Sequence, residues 1–110
     1  GNSTMKLITA AIQKKLDKNL ANGDRESLPL KLFNASGGQT WLINHIEPDG
    51  DIMYGLADLG FGCVEFGPIS LNEMLEAKKT LGFRFMLERD MYYDGSAKVA
   101  DHINKTSIQV

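Results

Sequence analysis

The chain holds a single cysteine, Cys63, among 110 residues. That excludes a disulfide within the chain and, beside only two histidines, leaves too few ligands for a convincing zinc site. Charges interrupt every apolar run well short of the ~20 residues needed to cross a bilayer, so no membrane role is expected. Nor does a basic-plus-apolar leader with a small-residue cleavage point open the chain, and a cytoplasmic location is expected. The most informative deficit is of one sign of charge. Between Lys31 and Lys78 there are 46 residues without a Lys or Arg. Glu47, Asp49, Asp51, Asp58, Glu65, Glu73 and Glu76 give this stretch a charge of −7, against +3 for residues 1–31 and +2 for residues 78–110. The overall −2 therefore conceals a segregated field, which bears on partners rather than on fold.

A hydrophobic content of 43% supports one domain with its own core. Residues 1–4 read as an expression remnant, and the Asn-x-Ser/Thr triplets at Asn2, Asn34 and Asn104 read as chance. Thr9 predicts the cap of a helix running to about Ala21, with Ile8, Ile12, Leu16 and Leu20 on one face. Strands follow over Leu28–Phe33, Thr40–Glu47 and Ile52–Leu59. The short turns between them, Gly50 supplying one positive φ, favour an antiparallel meander. A short strand Cys63–Gly67 is expected to close at Pro68. Ser70-Leu71-Asn72-Glu73 predicts a capping box opening a second helix, with Lys78 and Lys79 in its last turn and Gly82 beyond it. Phe83 to Tyr93 alternates like a strand, its apolar side broken only by Arg89. From Gly95 onward a short helix or loose tail is expected. The fold reading is α+β: a mainly antiparallel four- to five-stranded sheet with two helices on one side.

A set of short matches runs through Leu7-Ile8-Thr9, Lys31-Leu32-Phe33, Trp41, Tyr54-Gly55-Leu56, Glu65-Phe66-Gly67, Ile69-Ser70-Leu71-Asn72-Glu73 and Glu88-Arg89-Asp90-Met91-Tyr92-Tyr93. On these residues, in this order, the chain resembles a family of small bacterial proteins, the domain of unknown function 2958 family. The resemblance covers roughly Met5 to Asp94, leaves the tail outside, and implies a setting on plasmids or integrative elements. It implies no reaction, and no catalytic residue carries over from it.

The candidate sites each compete with a plainer reading. A guanidinium on an apolar strand side needs a carboxylate if it is buried, and Glu65 or Asp58 are the expected partners of Arg89. Glu88 and Asp90, with Glu65, are the residues for a divalent metal, though paired carboxylates on a strand more commonly form a solvated face. Cys63 and His45 lack the setting of a nucleophile and its base. Gly60-Phe61-Gly62 departs from a dinucleotide fingerprint at Glu65, and Gly62–Gly67 lacks the Lys-Ser/Thr of a phosphate loop. Trp41, Tyr92 and Tyr93 have no basic track beside them, so direct nucleic-acid binding is not expected.

These weights favour a non-enzymatic interaction module of a mobile element. It would bind a protein partner through an acidic sheet and turn surface at Asp49, Asp51 and Asp58, with Trp41 or Tyr54 as anchors. No cofactor and no catalytic residue is expected. Two other readings are a small metal-dependent hydrolase or nuclease using Glu65, Glu88 and Asp90, and an acidic inhibitor of a nucleic-acid-binding host defence protein.

Overall fold

A computed structural model describes residues 7–60, 62 and 64–102. Cys63, residues 1–4, Asn104 and the last part of the tail lie outside the described residues. Helix α1 spans Ala10–Asn22. Thr9 Oγ1 accepts from the Ile12 N–H at 3.1 Å, and Gly23, at φ 70°, closes the other end through bonds to Asn19 and Leu20 carbonyls.

Strands β1 (Leu30–Asn34), β2 (Thr40–Ile46), β3 (Ile52–Asp58) and β4 (Val64–Ser70) form an antiparallel meander. Helix α2 (Leu71–Leu81) and a 3-10 turn (Gly82–Arg84) then lead to β5 (Leu87–Arg89), which pairs antiparallel with β1. The five-stranded order is β4-β3-β2-β1-β5, so β4 and β5 are the two edges. The α+β class and the antiparallel sheet agree with the pattern of the sequence.

Both helices cover one face. Leu16 and Ile12 of α1 and Leu71, Met74 and Leu75 of α2 pack with Leu30, Leu32, Trp41, Ile43, Met53 and Leu87. The second face carries Leu42, Leu56, Val64 and Phe66, and is covered by chain from Tyr93 onward. In the tail, residues 99–102 are helical and the chain before them is bonded to the domain. The Leu28 N–H donates to Ala97 O, the Val99 N–H donates to Glu26 O, and Val99 is buried beside Leu28. Tyr93 Oη donates to Leu28 O and accepts from the Ala97 N–H, fixing the start of this cover. The segment is apolar at few positions, but those few, Val99 of the helical residues 99–102 among them, meet the sheet face that α1 and α2 do not reach.

Two other differences have physical causes. β4 continues through Pro68 to Ser70 because it is an edge strand. Pro68 is opposite Tyr54, and the neighbouring pair in which Leu71 N–H bonds Asp51 O shows that the proline nitrogen faces away from β3. The long strand expected over Phe83–Tyr93 shrinks to Leu87–Arg89. Gly82–Arg84 coils instead, and after Arg89 the Asp90 carboxylate accepts from the Tyr92 N–H at 2.9 Å, turning the chain.

The β2–β3 register shifts between Ile43 and His45, leaving Asn44 as a bulge residue. Asn44 Nδ2 donates to Ser27 O at 2.6 Å, and Asn19 Nδ2 of α1 donates to Asn44 O at 2.8 Å. This ties α1 to the kinked strand. At the same place Gly55 is required, since a Cβ there would run into the Leu42 carbonyl oxygen.

The serine half of the capping box forms. Ser70 Oγ accepts from the Glu73 N–H at 3.1 Å, and Asp51, from the β2–β3 turn, brings a second acceptor to the helix start. Its Oδ1 accepts from Ser70 Oγ at 2.8 Å and from the Asn72 N–H at 2.7 Å. Asp51→Ala is expected to cost about 1–2 kcal/mol, as lost caps do, and Asp51→Asn much less, which denaturant melts measure. Burial holds the Tyr93 phenol above its ordinary range, so its stabilising contribution is complete below that range and lost as pH rises through it. Tyr93→Phe should lower stability at neutral pH by about 1–3 kcal/mol and flatten the alkaline side of a midpoint-against-pH curve.

Candidate functional site

The acidic residues do not make one landing area. Asp49 Oδ1 accepts from the N–H groups of Asp51 and Ile52, and so shapes its own turn. Asp51 is committed to α2, and Glu47 lies 3.1 Å from His45 Nε2. Asp58 is at the far end of β3, roughly 20 Å along the strand from Asp51, where it accepts from the Gly60 N–H. Glu73 and Glu76 project from α2, and Glu65 from the β4 edge. The seven carboxylates thus divide between two ends of the sheet and the outer helix.

The other proposed pairings also come apart. Arg89 on β5 and Glu65 on β4 stand at opposite edges, about 19 Å apart at the usual strand spacing, so they are no ion pair. The same separation keeps Glu65 from Glu88 and Asp90. Asp90 instead meets Lys31 at 3.2 Å, and among the described residues no three His, Cys, Asp or Glu side chains converge for a metal. Trp41, 7% exposed, packs edge-on to Phe85 in the helix-side core and is no surface anchor. Tyr54, half-buried on the second face, stacks on His45 at 5.2 Å between ring centres.

What the structure does gather is apolar. Six large hydrophobic side chains are exposed among the described residues, and five of them, Leu81, Phe83, Met86, Met91 and Tyr92, flank β5. Phe83 is 88% exposed and Tyr92 96%. A groove of about 370 Å³ runs along this edge, bounded by Lys78, Phe83, Phe85, Met86, Leu87 and Glu88. Its position is set by a buried knot at Asn34, whose Oδ1 accepts from the Met86 N–H at 2.8 Å and from the Ser36 N–H at 3.0 Å. Its Nδ2 donates to Gln39 Oε1 at 2.8 Å, so the amide is used at both ends.

The side of β5 turned away from β1 is covered at Leu87, which is fully buried. Asp90 N–H donates to Lys31 O and Ala35 N–H to Met86 O, so the even-numbered residues bond inward to β1. The main-chain groups of Leu87 and Arg89 therefore face outward. Lys78 Nζ reaches the Leu87 carbonyl at 3.2 Å. Arg89 shares the helix side with Leu32, and its Nε is buried without a hydrogen-bond partner among the described residues. On the opposite side Asp90 is held below the ordinary carboxylate range, first by the Tyr92 N–H and further by Lys31.

A second cavity, about 340 Å³, opens between the second face and the terminal cover. Leu42, Leu56 and Val64 floor it, and Lys31, Asp58 and His102 stand at its border. Lys31 is already engaged by Asp90, so the charged groups of this cavity converge less than its apolar floor suggests.

A small α+β domain with a short edge strand set among exposed apolar side chains is the class that fold and site define. The chain belongs to the DUF2958 family of proteins of unknown function, whose model matches residues 5–109. The match takes in the terminal cover that the resemblance by short motifs left outside. No curated protein and no solved structure matches significantly.

Sequence reasoning missed this edge because Phe83 was assigned to the inner side of a long strand. The signal was present in Gly82-Phe83-Arg84-Phe85-Met86: a helix-stopping glycine leaves no uninterrupted strand to bury three large apolar residues in five. Replacing Arg89 with methionine removes a partnerless buried donor while keeping the packing. Arg89→Met is expected to leave the thermal midpoint unchanged or raised, where Leu87→Ala lowers stability by about 2–5 kcal/mol.

Proposed function

We propose that the protein is a non-enzymatic interaction module that binds a protein partner, and that the partner sits on the β5 edge rather than on the acidic turns. The observation that carries this reading is the concentration of exposed apolar side chains around β5. Single exposed hydrophobics are ordinary on a protein surface, but Phe83 and Met86 border one groove, and exposed apolar groups gathered at a groove mark contact surfaces. Phe83 and Tyr92 have the character of anchors, being large, stiff and already free of intramolecular packing.

The bacterial mobile-element setting suggested by the motif resemblance belongs to this proposal, as does the partner's being a protein. Neither the metal-dependent nor the phosphate-mimicking reading gains support from the geometry. The first needs Glu65 beside Glu88 and Asp90, and the second needs a continuous acidic face.

Because Phe83 and Tyr92 hold nothing together in the free protein, a Phe83→Asp, Tyr92→Asp double substitution should change stability by no more than about 0.5 kcal/mol per site. It should at the same time remove partners captured from bacterial lysate by the parent protein. An Asp49→Lys, Asp58→Lys variant should keep them. Capture that survives the first variant and fails in the second would return the site to the acidic turns.

A further inference from the structure

We infer that the β5 edge takes an acidic segment of a partner protein, which inserts one large apolar side chain into the groove beside Phe83 and sets its carboxylates against the cations of α2 and the 3-10 turn. This rests on the docking reading above and gives the partner's chemistry. The main chain around the groove is already committed. Phe85 N–H donates to Gly82 O, Ser36 Oγ donates to Phe83 O, the Met86 N–H and carbonyl are bonded to Asn34 and Ala35, and Lys78 Nζ holds the Leu87 carbonyl. Recognition at this place therefore falls to side chains.

The groove suits one such side chain. Its floor is fixed, because Leu87 is fully buried and Phe85 packs edge-on to Trp41 in the core. Its walls are adaptable. Phe83 is almost wholly exposed, and Met86, exposed as well, is flexible and carries a polarizable sulfur that accepts aromatic and aliphatic guests alike. A volume of about 370 Å³ stands at the small end of the roughly 300–1,000 Å³ of ligand pockets, room for a side chain or two and not for a whole helix.

Charge decides what flanks the inserted group. Lys78, Lys79, Arg84 and Arg89 against Glu88 alone give residues 78–89 a charge of +3, and none of these four cations pairs with a carboxylate among the described residues. Lys78 lines the groove, and Arg84 stands between the lining residues Phe83 and Phe85. Leu87 belongs to the helix-side core, so its neighbour Glu88 points to the other face and leaves the α2 side to the cations. Carboxylates beside the inserted group are attracted there, and ammonium groups are repelled. An anionic lipid surface would meet the same cations, but it has no use for a groove with a fixed floor.

The test uses the full chain, isotope-labelled at its methionine methyl groups for NMR, with the peptides Glu-Glu-Leu-Glu-Glu, Glu-Glu-Ala-Glu-Glu and Lys-Lys-Leu-Lys-Lys. The first should shift the Met86 methyl signal and leave those of the core residues Met53 and Met74 in place. The alanine and the lysine peptides should each bind at least about tenfold more weakly. Phe83→Asp should abolish binding of the first peptide. Lys79→Glu combined with Arg84→Glu, at two exposed side chains, should turn the preference over to the lysine peptide, an outcome that an unfolded variant could not give.

No shift at Met86, equal binding of the leucine and alanine peptides, or indifference to the charge swap overturns the inference. Lysate capture that still depends on Phe83 and Tyr92 would then keep docking at this edge with a partner of other chemistry, whereas capture without that dependence brings down both readings. Phosphatidylserine vesicles that bind where the peptides do not, and release the Phe83→Asp variant, would assign the edge to a lipid surface and overturn the inference equally. So would a peptide-free dimer that Phe83→Asp dissolves.

Discussion

Everything at the β5 edge depends on one connection crossing the whole sheet. Four strands run as a meander and finish at the β4 edge, yet the fifth pairs at the opposite side, against β1. Four strand spacings amount to about 19 Å. The 11 residues of α2 rise about 16 Å and the 3-10 turn adds about 6 Å, so helix and turn together just span the gap. The fit explains why the chain coils once more at Gly82–Arg84 instead of entering a strand at Phe83. It also explains why the two ends of the crossing are pinned so firmly, by Asp51 and Ser70 at the start and by Asn34 and Ser36 at the finish. Phe83 and Met86 come to the surface because the crossing has run out of sheet to cover.

A sheet with two apolar faces and α1 and α2 on only one needs a second cover. The terminal segment supplies it with few side chains, and compensates with main-chain bonds to Glu26 and Leu28 and with the Tyr93 hydroxyl. Such a cover costs little chain but leaves space, and the cavity over Leu42, Leu56 and Val64 is the result. On the helix-side face α1 is bonded directly to β2. There the Asn44 bulge and Gly55 let β2 and β3 approach closely while Asn19 reaches in from α1 to satisfy the exposed carbonyl.

The parts of this fold legible in the sequence were those governed by local chemistry. Thr9, Gly23, Ser70 and Gly82 announced both helices because capping is decided within a few residues. The meander followed from short turns. What was illegible depended on strand order. Whether Pro68 ended a strand turned on β4 being an edge, and whether Arg89 met Glu65 turned on the two edges being different ones. The charge pattern misled for a related reason. Carboxylates that look alike along the chain divide by use: Asp49 builds a turn and Asp51 caps a helix, while Glu65 and Glu73 remain in solvent. Periodicity likewise shows that Phe83 is large and apolar but not that the element carrying it has reached the rim.

The two rims are treated differently, and the difference bears on what the molecule does. β4 carries Pro68, which removes a donor from its free side, and the exposed charge of Glu65, both familiar protections against stray pairing. β5 is guarded by its shortness and by one lysine contact, with no proline and with bare aromatic and methionine side chains at both ends. Exposed apolar side chains at an edge would normally invite self-association. Here two copies meeting through β5 would set Lys78, Arg84 and Arg89 against their own duplicates, with Glu88 alone to offset them, and like charges brought together oppose pairing.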